Sequence, residues 1–229
     1  ITASAGNASV SEIGGTGSGA SGTAEVLATI TASASQGGTI DFDEIFADTT
    51  NSVSDNDMTI TASANDAGSS VAFDDVNNQF GSITATLSGT QAVDFTEGSG
   101  TLTADSVTIT RSGDGATTIS AIVATTTLTA TNNSSGTLTI TTSDAEGDTV
   151  VTTTSGALDV TTTSTDNVTL TGGSLADQLI ASGTTESGKT HTLDGAGGAD
   201  TITGGGGNDV LKGGAGNDTI TAGAGIDNI

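Results

Sequence analysis

Near the end of the chain, Asp200, Asp209, Asp218 and Asp227 recur every nine residues, each closely preceded by glycines. Acid–base catalysis needs groups of tuned protonation gathered in a pocket, and regularly spaced carboxylates between glycines do not make one. They do suit a hard divalent cation. Glycine tolerates positive φ, so the backbone can turn sharply and aim several carbonyl oxygens at one spot, to which each aspartate adds a charged oxygen. Calcium takes roughly six to eight oxygens, a shell that carbonyls and carboxylates from two stacked turns can complete.

The spacing follows a nonapeptide. Residues 204–212 and 213–221 are consecutive complete copies of G-G-x-G-x-D-x-U-x, where U is a large aliphatic residue. Residues 195–203 are a near-copy with Ala196 second, and 222–229 are a shorter near-copy. Residues 172–180 are a degenerate copy with Leu175 fourth; if 181–185 form an inserted loop, 186–194 are another, with His191 where the aspartate belongs. Two nonapeptides make one coil of 18 residues, so Asp200 is expected to face Asp218, and Asp209 to face Asp227, while Asp177 falls two repeats before Asp200. The site between His191 and Asp209 is expected to be weak or missing. As the only histidine, His191 substitutes within a repeat column and does not read as the base of a hydrolase triad. Each x-U-x triplet reads as a short strand with U inward, placing Leu179, Leu193, Ile202, Leu211, Ile220 and Ile229 in a thin core.

Two unbroken adjacent copies make residues 172–229 resemble the RTX family, the calcium-binding β-rolls of proteins exported by Gram-negative type I secretion. The resemblance implies calcium as the bound ion. It implies ligands at Asp177, Asp200, Asp209, Asp218 and Asp227, together with the turn backbone of Gly195, Gly197, Gly204, Gly205, Gly206, Gly207, Gly213, Gly214, Ala215 and Gly216. Leu175 and His191 depart from the family pattern at their own half-sites. The resemblance also implies folding outside the cell, because a preformed site rarely exists without its ion. The family's C-terminal secretion signal is not seen, and Ile1 shows neither an initiator Met nor a signal peptide, so a mature or excised fragment that continues beyond Ile229 is expected.

Residues 1–171 must carry and orient these turns. Ile30-Thr-Ala-Ser33 is followed by Ile40-Asp-Phe42, Ile60-Thr-Ala-Ser63 by Val71-Ala-Phe73, and Ile83-Thr-Ala-Thr86 by Val93-Asp-Phe95. The leading aliphatics align these units, with Leu102 opening a later one and Phe42, Phe73 and Phe95 stacking inside. Farther on, Ile140, Val150, Val160, Leu170 and Ile180 lie ten residues apart, and Leu138, Leu158 and Val168 keep a matching column two residues earlier, which Asp148 breaks. Alternation at a two-residue period in Thr, Val and Ile predicts strands throughout. The fold expected is all-β: a Thr/Ala/Ser/Gly-rich parallel β-solenoid (β-helix) over 1–171, continuous with an RTX calcium-binding β-roll over 172–229. An antiparallel sandwich is the structural alternative.

Composition narrows the function. With 27 acidic residues against three basic ones and a net charge of −24, the chain repels nucleic acid and anionic membranes. No apolar run reaches the ~20 residues of a transmembrane helix. No constellation of catalytic groups is found, so a non-enzymatic role is expected. The Cys-free, Thr-rich solenoid joined to RTX repeats resembles the surface-layer (S-layer) proteins of Gram-negative bacteria. That resemblance implies an extracellular, cell-surface structural protein that self-assembles as a homo-oligomer in a lattice or filament. A cell-surface polysaccharide anchor would lie elsewhere in the full chain. A calcium-dependent adhesin segment, or the export and folding tail of a type I secreted enzyme, remain open as alternatives.

Overall fold

A computed structural model describes residues 2–4, 8–10, 29–35, 38–46, 58–67, 70–77, 80–91, 93–95, 102–142, 147–183 and 188–229. The alternating Thr, Val, Ile and Leu runs form nineteen strands among the described residues, and no helix occurs there. All their ladders are parallel. In general each strand pairs with the one two places later, as Leu138–Thr142 does with Leu158–Thr162 and Asp148–Thr153 with Val168–Thr171. The strand Thr117–Asn132 passes from one ladder to the other, pairing first with Leu138–Thr142 and then with Asp148–Thr153. Parallel pairing of this kind excludes the sandwich. The chain is an all-β parallel β-solenoid of two ladders, in which each coil lies on the one before.

The core is one aliphatic layer between the ladders. Along one ladder Ile140, Val160, Leu179, Ile202 and Ile220 are successive register partners, so the column crosses from the Thr-rich coils into the glycine repeats without a break. The first four are fully buried, a burial that contributes about 1.5–3 kcal/mol per side chain. Along the other, Leu170, Leu193 and Leu211 align in the same way. Ile220 is only partly buried, and Ile229, in the last described coil, is 74% exposed. For Ile229 this corrects the expected core position.

Val150 does not face the core. The strand Asp148–Thr153 turns Thr149, Val151 and Thr153 inward and leaves Val150 36% exposed, while Leu179 rather than Ile180 is its counterpart on the other ladder. A constant ten-residue spacing counts bend residues as if they were strand, and one extra residue in a bend exchanges the two faces. In the observed register Asp148 points outward and accepts a hydrogen bond from Asn167 Nδ2 at 3.1 Å, so it disturbs no column.

The early coils show a milder shift. Ile30 pairs with Ile60 as the repeat predicts, but Met58 pairs with Ile83 and Ile60 with Ala85, a slip of two residues that preserves inward parity. Ile83 then pairs with Val107, and Leu102 joins Ile122 instead. Phe42, Phe73 and Phe95 share one backbone column. The stacking expected of their rings concerns side chains outside the described set.

The observed parity makes a direct prediction. In calcium-saturated protein, Val151→Asp places an unpaired charge in the core and should destabilise the solenoid by about 3 kcal/mol or more. Val150→Asp should change stability by less than about 0.5 kcal/mol. Chemical denaturation of the two variants checks this, and equal effects would contradict the register.

Candidate metal centre

Each glycine repeat turns the chain at two fixed points. The second and fourth positions carry positive φ in all four repeats: Ala196 (64°) and Gly198 (130°), Gly205 (89°) and Gly207 (113°), Gly214 (97°) and Gly216 (142°), Gly223 (102°) and Gly225 (141°). Only Ala196 does this with a side chain among the described residues, a conformation that L-residues adopt at a cost of about 1–2 kcal/mol. In the degenerate copy neither Gly173 nor Leu175 has positive φ, so that bend has a different shape.

Backbone hydrogen bonds stack the bends. Gly197 N–H donates to the Gly173 carbonyl at 2.9 Å, Gly198 N–H to Ala215 at 2.8 Å, Gly206 N–H to Gly183 at 3.1 Å and Gly207 N–H to Ala224 at 2.7 Å. The bridges Gly197↔Ala215 and Gly206↔Ala224 hold each bend against its equivalent one coil away.

The aspartates point into these bends and divide their two oxygens between tasks. Oδ1 of Asp218 accepts the Asp200 backbone N–H at 3.1 Å, Oδ1 of Asp227 accepts that of Asp209 at 3.0 Å, and Oδ1 of Asp200 accepts that of Asp177 at 2.9 Å. Asp200 therefore lies in one column with Asp218, and Asp209 with Asp227, one coil apart. Oδ2 faces the first glycine of its own repeat. A Cβ added to Gly195 would collide with Asp200 Oδ2 and lie 2.6 Å from the Gly213 carbonyl oxygen; at Gly204 it would meet Asp209 Oδ2 at 2.7 Å and the Ala222 carbonyl oxygen at 2.5 Å. Glycine is required there to let two oxygens from successive coils converge.

Those Oδ2 atoms carry the test for a cation. Asp200 and Asp209 are 1% exposed, and in each the buried Oδ2 accepts no hydrogen bond. An unsatisfied buried carboxylate oxygen beside a carbonyl oxygen is a pair of acceptors with no donor, which only a cation or a proton can stabilise. Among the described residues no three carboxylate, imidazole or thiol groups gather, so a metal here would draw much of its shell from carbonyls. That donor set, all oxygen, fits calcium. When bound, the ion would neutralise facing carboxylates and tie each coil to the next. Asp218 and Asp227 supply the outer members of the two columns, and Gly205, Gly207, Gly214 and Gly216 supply the turns.

Asp177 and His191 differ. Asp177 Oδ1 accepts the Leu158 N–H at 2.7 Å and its Oδ2 accepts the Gly173 N–H at 2.8 Å, so both oxygens are held by amides. His191 is fully buried in the column of Asp209, donates its backbone N–H to Asp209 Oδ1 at 3.3 Å, and places Nδ1 2.7 Å from the Gly204 carbonyl oxygen, to which it donates.

Burial pushes the Asp200 and Asp209 carboxyls above the ordinary carboxylate range. The Asp177 amide opposes this at Asp200 and His191 opposes it at Asp209, whereas Asp218 and Asp227 add repulsion. Asp177 is raised for the same primary reason, against the pull of its two amides.

The arrangement defines a metal-binding β-roll that closes a parallel β-solenoid. Residues 194–229 match the family model of the RTX calcium-binding nonapeptide repeat in 4 copies, and this segment is an RTX repeat array. No curated protein matches the chain, and no solved structure does.

Two outcomes are expected. Without a cation, the raised carboxyls hold protons more tightly in the folded form than in the unfolded chain, so their contribution is fully present below 3.8 and is lost as pH rises through the raised values. In a chelating buffer, where the repeats lose their structure near neutral pH, acidification toward about pH 5 should therefore restore structure and raise their thermal melting. In excess calcium this melting should move down, because the ion binds the ionised form. Asp200→Asn should blunt both trends, and identical profiles with and without calcium would contradict the assignment. Separately, Ala196→Gly should stabilise the calcium-loaded roll by about 1 kcal/mol in denaturant titrations, since it removes the strained alanine.

Proposed function

We propose that this chain is a structural protein of the cell exterior, a calcium-stabilised subunit of a surface layer or matrix that assembles with copies of itself. One observation carries the reading. On a chain of net charge −24, the solenoid presents an uncharged threonine strip, running through the register partners Thr31, Thr61, Thr86, Thr110, Thr131 and Thr152. Acidic copies repel one another over most of their surface, and a neutral strip is where two can approach. Calcium bridging carboxylates of neighbouring subunits would add to this attraction.

A non-enzymatic role fits a chain built of repeated coils, with its buried carboxylates committed to bends. Secretion and a cell-surface location fit a site that needs calcium. No helix among the described residues is long and apolar enough to cross a membrane. This reading includes attachment through a polysaccharide-binding segment elsewhere in a longer protein. An adhesin segment would instead come with a separate ligand-binding domain, and an enzyme tail with a catalytic domain.

Calcium titration of the purified chain, followed by sedimentation and electron microscopy, should show ordered sheets or filaments. Thr110→Glu with Thr131→Glu should suppress them while leaving calcium binding intact. A monodisperse monomer at saturating calcium would overturn the assembly reading.

A further inference from the structure

The glycine bends of the repeats continue a corner that begins far upstream. In one ladder Leu87 pairs with Arg111, Arg111 with Asn132 and Asn132 with Thr153. Pairing of Thr152 with Thr171, Thr171 with Asp194 and Asp194 with Lys212 carries the same column on to Gly172, Gly195 and Gly213. From Arg111 onward, each residue of the column stands at the end of a strand or just past it, where the chain enters a bend.

Upstream, the column residue fills its bend with donors. Arg111 is fully buried; its Nη2 donates to the Gly115 carbonyl at 2.6 Å and to Gly89 of the preceding coil at 3.1 Å, and its Nη1 reaches the Ser112 carbonyl. Asn132, also fully buried, donates Nδ2 to the Gly136 carbonyl at 2.9 Å and accepts the Ser134 N–H on Oδ1. Thr153 Oγ1 donates to the Gly156 carbonyl at 2.9 Å. Each bend thus has an internal group that satisfies its inward carbonyl.

Downstream, the column residue is glycine and the bend is filled by acceptors. At Gly195 the Asp200 Oδ2 and the Gly213 carbonyl converge with no donor between them. The transition between the two regimes is marked on both corners. Asp177 has its oxygens covered by the Leu158 and Gly173 amides. On the opposite corner, His191 Nδ1 donates to the Gly204 carbonyl, the equivalent of the carbonyls that lie beside Asp200 and Asp209.

We propose that Arg111, Asn132, Thr153 and His191 take the place of the cation in their coils, so that the calcium requirement begins at a sharp boundary after residue 194 and not at the first glycine-rich copy. The described bends between Leu102 and Asp194 named above are held by the chain's own groups, and these coils fold without metal. They then present the edges of strands Gln178–Ala181 and His191–Asp194 as a template on which calcium zips the remaining repeats. His191 is the determinant of the boundary on its corner: it occupies an aspartate column with a donor where the later coils carry an acceptor.

This inference rests on the calcium assignment, and hydrogen exchange read by mass spectrometry over the full chain separates the two. In chelator, residues 195–229 should lose protection while strands within 102–142 and 147–183 keep it. Loss of protection along the whole chain would overturn the boundary and leave the calcium reading intact; no calcium-dependent change anywhere would remove both. His191→Asp supplies the second arm. It should add a calcium site in isothermal titration and make protection of 188–194 calcium-dependent. Unchanged stoichiometry in a variant that keeps wild-type protection in calcium would overturn the role given to His191.

Discussion

Stacked carboxylates one coil apart repel, and much of the C-terminal structure follows from how that repulsion is answered. Strands in adjacent coils lie about 4.8 Å apart, where two unit charges repel by roughly 1 kcal/mol in water and several-fold more near a protein surface. Asp200 and Asp218, like Asp209 and Asp227, occupy such columns, and their neighbours raise the buried carboxyls further. The fold removes half of the problem by giving each Oδ1 a backbone N–H from the coil before. It leaves Oδ2 against a carbonyl oxygen, an arrangement that an ion completes. Coil-to-coil cohesion and metal binding are therefore two uses of one carboxylate.

The same corner also shows how a solenoid can do without the ion. The described bends turn carbonyl oxygens inward, so each needs a hydrogen-bond donor or a cation inside its corner. Arg111 offers a guanidinium, Asn132 an amide and Thr153 a hydroxyl, each long enough to span the bend it serves. Once the column residue becomes glycine, no side chain can reach, and the aspartate of the same repeat enters the space. The protein is continuous in its core column from Ile140 to Ile220, yet it changes its means of closing corners partway along.

Much of this was legible in the residues. The nine-residue spacing of Asp200 to Asp227 located the bends and their pairing, and the aliphatic at each eighth position located the core. Arg111 was legible only as a charge, although Val107, Ile109 and Arg111 alternate in phase with the core, as do Leu128, Ala130 and Asn132. A polar residue at an inward parity position just before a glycine-rich bend is the signal that points to such corner donors.

By itself the sequence determined the repeated strand-and-bend unit and the four glycine bends with their aspartates, because these depend on short-range spacing and on what a glycine backbone permits, whereas the parallel ladders that exclude a sandwich belong to the tertiary structure. Tertiary structure alone decided that Val151 and not Val150 faces inward, that Met58 pairs with Ile83, and that the Asp200 and Asp209 carboxylates give one oxygen to an amide and turn the other toward a carbonyl of the next coil. Those facts depend on how many residues each bend consumes before the next strand lands on its neighbour, a quantity settled by stacking between coils and not by any local pattern.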